Sequence, residues 1–130
     1  MLPGRLAISR AFGDIEAKSL AYGGKPGVII AEPEIKAFKY NEDEHDLIVL
    51  GCDGIFDVLT NVEVRRIVWA TIKSECKQGV SMNNHQVKKV IEKAAENVVK
   101  ASMMANSTDN VSCIIVFFLK AMKVFTMGDS

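Results

Sequence analysis

The sequence has 130 residues, of which 48% are hydrophobic and 25% are charged, so it can bury the core of one domain or of a piece of a larger one. Sixteen basic residues balance sixteen acidic ones, and this neutrality argues against nucleic acid or an anionic membrane as a partner. The three cysteines are widely spaced, without a CxxC pair, which favours buried thiols in a reducing compartment over a zinc site.

Four segments in the first half of the chain predict β-strands. Residues 6–12 and 35–40 alternate apolar with polar or small side chains, as half-exposed strands do. Residues 28–31 form a short apolar strand that a proline ends. Residues 47–52 are continuously apolar, which predicts a strand that is buried on both faces.

The segments between these strands carry turn residues. Residues 15–27 are rich in glycine and contain a proline, which indicates a loop with one helical turn near residues 16–18. The acidic residues 41–46 predict a turn at a hairpin tip. A metal site is an alternative there, but a run of charges at such a tip is more often a solvated surface.

Two amphipathic helices and a strand make up the second half. Thr60 and Glu63 have the spacing of a capping box, which predicts a helix start, and a second helix is predicted for residues 86–103. A loop at residues 106–110 leads into a β-branched strand at 111–119. The predicted apolar stripes are Val64, Ile67, Val68, Thr71 and Ile72 on the first helix, and Val87, Val90, Ile91, Ala94, Val98 and Ala101 on the second.

The order of these elements favours an α+β fold, because the strands cluster ahead of the helices instead of alternating with them. No signal-peptide core is visible at the N-terminus, and the longest apolar stretch is too short to span a bilayer. We therefore expect a soluble protein of the cytoplasm or nucleus. Residues 120–130 have no clear pattern and are expected to be a tail.

Aspartates stand at the ends of two apolar strands. Asp53 directly follows one strand, Gly54 permits a sharp turn after it, and Asp57 is close enough in sequence to approach the same ion. Asp109, followed by Asn110, precedes the other strand. Hard cations such as Mg²⁺ or Mn²⁺ prefer such oxygen ligands. Taken alone, the Asp53 motif is slightly better explained as a turn, and a turn is also plausible for Asp109-Asn110. The aspartates would converge, however, if the two strands are neighbours.

Four segments together resemble the metal-dependent, type-2C (PPM-type) protein serine/threonine phosphatases, in the order in which that family has them. The resemblance extends over roughly residues 4–119. The segments are residues 6–14 (LAISRAFGD), 31–35 (AEPEI), 50–58 (LGCDGIFDV) and 107–112 (STDNVS).

The resemblance implies a fold and a metal centre. The fold is the C-terminal part, residues 1–119, of a four-layer αββα sandwich of antiparallel sheets. Asp53 and Asp109 would bind one catalytic Mg²⁺ or Mn²⁺, and Asp57 would lie near a weaker metal position. The supporting residues would be Gly54 at the turn, Asn110 beside Asp109, and Arg10 and Asp14 in structural positions, as an ion pair with the acidic centre. Two metals would activate water for direct hydrolysis of phosphoserine and phosphothreonine proteins.

The family also has an N-terminal half with a Glu-Asp pair, an Asp-Gly-His-Gly motif and a phosphate-binding arginine, and these motifs do not occur in this sequence. We therefore expect an incomplete catalytic domain: a fragment, a mispredicted gene product, or a truncated chain held by a partner that supplies the missing half. The alternative is a non-catalytic interaction or structural module derived from a phosphatase.

Overall fold

The computed structural model describes residues 8–41, 43–76 and 82–118, and it divides the chain into two compact units, Met1–Lys39 and Tyr40–Ser130. The prediction of a domain at residues 1–119 with a tail at 120–130 stays a prediction, since the tail lies outside the described residues.

The first unit is built around short helical turns and isolated bridges. Helix α1 spans Ile15–Lys18, which confirms the predicted helical turn, and a 3-10 turn follows at Leu20–Tyr22. In place of the predicted strands at 6–12 and 28–31 the structure has isolated parallel bridges, one between Arg10 and Ile30 and one between Pro26 and Ile29. Residues 6 and 7 lie outside the described part of the chain.

The alternating segment at 35–40 forms no strand, so this prediction was wrong. All of these residues are exposed, with Ile35 and Phe38 at 83% and 86%. A strand needs a neighbouring strand for its backbone hydrogen bonds and a surface for its apolar face. Neither is present around residues 35–39 within the described part of Met1–Lys39, and alternation alone does not provide them.

Near its start the second unit has the predicted acidic turn, but the turn is not the tip of a hairpin, because no strand precedes it at residues 35–40. Asn41 organises it: its side-chain oxygen accepts from the Asp43 amide at 3.0 Å, and its carbonyl accepts from the amides of Glu44 and His45 at 3.2 and 3.0 Å. Residues 43–46 are exposed, as a solvated turn requires.

Among the described residues, the sheet consists of two antiparallel strands, β1 (Leu47–Gly51) and β2 (Cys113–Phe117). Leu47 pairs with Phe117 and Gly51 pairs with Cys113. One face of the sheet packs on the helices. The other face is apolar but open, so the prediction that residues 47–52 are buried on both faces was wrong. The open side chains are Ile48 (47% exposed), Leu50 (53%), Ile114 (61%) and Val116 (43%).

The helices α3 (Asn61–Glu75) and α4 (Asn84–Met104) follow the short helix α2 (Asp53–Phe56) and confirm the predicted pair. Each begins with a complete capping box, Thr60 with Glu63 and Asn83 with Gln86. Their apolar stripes meet in the core. The fully or nearly fully buried members are Val64, Val68, Ile72, Val87, Val90, Ala94 and Val98.

The described elements thus form an α+β fold, as predicted. Within the described ranges, none of the helices combines the length and the apolar character that crossing a bilayer requires.

Candidate metal centre

The register of the sheet brings the two aspartate motifs to the same end of it. Strand β1 ends at Gly51, which pairs with Cys113, the first residue of β2. Asp53 follows β1 as the first residue of α2, and Asp109 precedes β2 by four residues. The strands are therefore neighbours, which is the condition under which the sequence predicts that Asp53 and Asp109 approach each other.

Gly54 joins the two motifs because of its small size. A Cβ atom at this position would lie 2.3 Å from the Asn110 carbonyl oxygen, which is too close for any side chain. Its φ angle is outside the left-handed region, where Gly13, Gly23 and Gly27 lie, so the predicted reason for this glycine, backbone freedom in a turn, was wrong. Glycine is required here for the close approach of two backbone segments.

Two further side chains hold the motifs together. The Cys52 Sγ donates to the Asn110 carbonyl oxygen at 3.0 Å and accepts from the Ser112 amide at 3.3 Å. The Ser107 hydroxyl donates to the Gly54 carbonyl oxygen at 2.7 Å. Sequence reasoning missed both residues as supports, although they flank the aspartates in the predicted motifs. Their small hydrogen-bonding side chains beside those motifs were the available signal.

The carboxylates of Asp53 and Asp109 have matching local geometry. The Oδ1 atom of Asp53 accepts from the Gly54 amide at 2.9 Å, and that of Asp109 accepts from the Asn110 amide at 2.7 Å. Both residues are exposed. Asn110 thus contacts Asp109 through its backbone amide, and one oxygen of each aspartate is held by the amide of the residue that follows it.

Asp57 lies one helical turn after Asp53. Its amide donates to the Asp53 carbonyl oxygen at 2.8 Å, and its side chain is exposed. Asp57 is therefore the C-cap residue of α2, one helical turn from Asp53. Its role near a weaker metal position stays a prediction.

Arg10 and Asp14 belong to the first unit. The Arg10 guanidinium donates to the Glu32 carbonyl oxygen at 2.6 Å. Asp14 precedes α1 with a φ of 52°, and its side chain makes no capping hydrogen bond. Both residues are exposed in their own unit, and their predicted ion pair with the acidic centre stays a prediction.

The thiols beside the site are suited to a structural role. Burial, and secondarily the neighbouring Cys52, raise the pKa of the Cys113 thiol above its usual value of 9.0. Because the thiolate is the reactive form, a raised pKa keeps Cys113 neutral and unreactive at physiological pH. All three cysteines are free.

The donor set fits part of one hard-cation position. Asp53 and Asp109 supply carboxylate oxygens, and Mg²⁺ often binds through one or two carboxylates together with waters or phosphate oxygens. Within residues 8–41, 43–76 and 82–118, however, no three His, Cys, Asp or Glu side chains converge as a metal-binding group. Tight binding of a metal pair would therefore need further ligands.

Comparisons with known proteins agree on one family. The model of the family described as Protein phosphatase 2C matches residues 2–111. Protein phosphatase 1A from Bos taurus and from Homo sapiens are each 32% identical over 122 residues, which are 93% of this chain and 28% of theirs. Protein phosphatase ppm-1.A of Caenorhabditis elegans is 29% identical over 122 residues, 93% of this chain and 23% of its own.

The chain thus spans less than a third of the length of these curated relatives. No solved structure matches it significantly. The family model nevertheless covers most of the chain, including both aspartate motifs up to Val111. The chain belongs to the protein phosphatase 2C family.

Proposed function

We propose that this chain carries one wall of the metal centre of a Mg²⁺- or Mn²⁺-dependent protein serine/threonine phosphatase, and that it is an incomplete catalytic domain. The observation that carries the proposal is that the backbone segments of Asp53 and Asp109 lie side by side at one end of the sheet. The contact of Gly54 with the Asn110 carbonyl holds their backbones together. The relatives' names, Protein phosphatase 1A and 1B, support the reaction class.

The residues of this chain would bind and orient the cation. Asp53 and Asp109 would each offer one free carboxylate oxygen, while the amides of Gly54 and Asn110 keep the other oxygen in place. Metal ions bound there would lower the pKa of a bound water and hold phosphoryl oxygens of a phosphoserine or phosphothreonine protein. Asp57 would contribute to a weaker metal position beside Asp53.

The open face of the sheet supports the four-layer αββα arrangement. Apolar side chains of neighbouring strands cover this face in two cross-strand pairs, Ile48 with Val116 and Leu50 with Ile114. Faces of this kind pack on a second sheet in β-sandwiches. A second sheet, with the missing acidic ligands and the Asp-Gly-His-Gly motif, would come from a partner chain or from additional sequence. We place the protein in the cytoplasm or nucleus.

A non-catalytic module is the second candidate function. The observation that favours it is the lack of a three-ligand metal group within the described residues. In that case the open sheet face would serve only to bind another chain, and the aspartates would act as turn residues.

Metal binding separates the two functions. We expect Mn²⁺, followed by electron paramagnetic resonance, to bind the full chain weakly at one site, and Asp53→Asn or Asp109→Asn to remove that binding. Glu96→Gln on α4 is the matched control, because it neutralises an exposed carboxylate on the same unit. Binding that survives both aspartate variants would favour the module.

Turnover tests the claim of incompleteness. We expect the chain alone to hydrolyse a phosphothreonine peptide no faster in Mn²⁺ than the Asp53→Asn variant does. Rapid turnover that this variant abolishes would show that the chain is a complete enzyme. Activity that appears only when the N-terminal half of a relative is added would support the proposal in full.

A further inference from the structure

The outer surface of α3 carries a groove that the metal centre does not use. Its lining residues recur at helical spacing on the side of α3 that faces away from the buried Val64, Val68 and Ile72. The groove has a volume of about 420 Å³. Its lining consists of Val62, Arg65, Arg66, Trp69, Ala70 and Lys73.

The surface is basic although the whole chain is neutral. Arg65, Arg66 and Lys73 are exposed. Two carboxylates of α3 accompany them: Glu63 accepts from the Thr60 amide and hydroxyl and also interacts electrostatically with Arg66, and Glu75 pairs with Lys93. Lys36, Lys88, Lys93 and Lys100 form ion pairs, and none of these four lysines lines the groove.

Trp69 gives the groove a fixed apolar centre. The indole is half-buried and contacts the Phe117 ring edge-on, with centroids 6.4 Å apart and an interplanar angle of 68°. Val62, which is 55% exposed, extends the apolar surface by two helical turns. An aromatic ring held by the core and flanked by arginines has the composition of a binding hot spot.

We propose that this face of α3 is a docking surface for an acidic segment of another protein. Glutamate or aspartate side chains of the segment pair with Arg65, Arg66 and Lys73, and an apolar side chain between them packs on Trp69. The surface lies outside the aspartate motifs, and the proposal does not rest on the chain's being a phosphatase.

The number of cations favours a peptide over the other anionic partners. Nucleic-acid binding commonly involves about 6–10 phosphate contacts. Binding of anionic lipid commonly uses clusters of about 4–8 basic residues. Three cations around one aromatic ring, along about 12 Å of helix from Arg65 to Lys73, match a short peptide instead.

The fluorescence of Trp69 reports binding directly, because it is the only tryptophan of the sequence. We expect a peptide in which glutamates flank a leucine to change the emission saturably. The same peptide with glutamine in place of glutamate should bind at least about fivefold more weakly. Raising the salt concentration from about 50 to about 200 mM should weaken binding of the acidic peptide and leave binding of the neutral peptide unchanged.

Variants locate the site. Replacing Arg65 and Arg66 by glutamine should weaken binding of the acidic peptide about five- to tenfold. The same replacement of Lys88 and Lys89 on α4, an equal change of charge on the same unit, should leave the affinity unchanged. Ala70→Glu, at an exposed position in the centre of the groove, should abolish binding while the helical circular dichroism is kept.

Three results would overturn the proposal. One is an emission that does not change at millimolar peptide, and another is equal weakening by the α3 and α4 double variants. The third is tighter binding of an oligonucleotide or of anionic vesicles than of the acidic peptide through the same arginines.

Discussion

Both compact units contain apolar patterns, but the two units differ in whether those patterns are buried. In Tyr40–Ser130 the stripes of α3 and α4 are buried against each other and against the sheet. In Met1–Lys39 the alternating residues Ile35 and Phe38 remain exposed. A helix satisfies its own backbone hydrogen bonds, whereas a strand depends on a neighbouring strand. The helical segments could therefore form their predicted structure without a partner, and the segment at 35–40 could not.

The largest expected effect comes from placing a charge at one position of each pattern. Val98, on α4, is 0% exposed and Ile35 is 83% exposed. Val98→Asp buries an unpaired carboxylate, and we expect it to lower the free energy of unfolding by at least about 3 kcal/mol. Ile35→Asp should change it by less than about 0.5 kcal/mol. Urea titration followed by circular dichroism measures both.

Asn97, which precedes Val98 on α4, provides a control on the same helix. Its side-chain amide donates to the Thr71 hydroxyl at 2.9 Å, so Asn97→Ala removes one hydrogen bond without burying a charge. It should cost about 1 kcal/mol. If Ile35→Asp were as damaging as Val98→Asp, the segment at 35–40 would be packed in solution and the contrast between the units would fail.

The next largest effect on stability is expected from replacing one glycine in each unit. Gly54 has no room for a Cβ atom, whereas Gly13 has open space around it but a φ of +70°. Asparagine tolerates that φ, so Gly13→Asn should cost less than about 1 kcal/mol. Gly54→Asn should cost about 1–3 kcal/mol, because the loop that holds Asn110 must move.

The same pair of variants examines the metal centre. Gly54→Asn separates the Asp53 and Asp109 segments, so we expect Mn²⁺ binding to be lost along with the stability. Gly13→Asn should keep it. A Gly54→Asn protein of unchanged stability and metal affinity would show that the two motifs are not held together by this contact.

Sequence patterns predicted the parts of this molecule whose signals are local. The box of Thr60 with Glu63 marked the start of α3, and helical periodicity identified the stripes. The depth of burial of β1 could not be predicted, because continuous apolar sequence does not say how many sheet faces are covered. The strand neighbourhood of Asp53 and Asp109 was inferred through a resemblance to a family. The steric role of Gly54 depends on Asn110, 56 positions along the sequence, and a one-dimensional pattern does not contain it.

The two units also differ in how their helices are capped, and the expected effects on stability are smaller. Thr60 accepts a hydrogen bond from the Glu63 amide at the start of α3, whereas Asp14 at the start of α1 makes no side-chain cap. Thr60→Ala should therefore lower the free energy of unfolding by about 1 kcal/mol. Asp14→Asn, which keeps a side chain that tolerates a φ of 52°, should change it by less than about 0.5 kcal/mol. Equal losses would mean that α1 is capped in solution after all.

The smallest expected effect is on the fall in the free energy of unfolding at acid pH. Hydrogen bonds from the Thr60 amide and hydroxyl hold the pKa of the Glu63 carboxyl below its usual value of 4.5. Since the pKa is lower in the folded than in the unfolded chain, the ionised carboxylate stabilises the fold above pH 4.5. This stabilisation is lost as the pH falls through the lower, folded value.

The capping box of α4 provides the matched comparison, because Gln86 occupies the position of Glu63 and cannot ionise. We expect Glu63→Gln to flatten the decline of the urea midpoint between about pH 6 and about pH 3, and Gln86→Glu to steepen it. Near neutral pH, Glu63→Gln should be slightly less stable than the parent and Gln86→Glu slightly more stable, because only an ionised carboxylate with a lowered pKa adds stability there. A decline that is identical in the two variants and the parent would mean that neither box senses pH, and acid unfolding would then have to originate at other carboxylates.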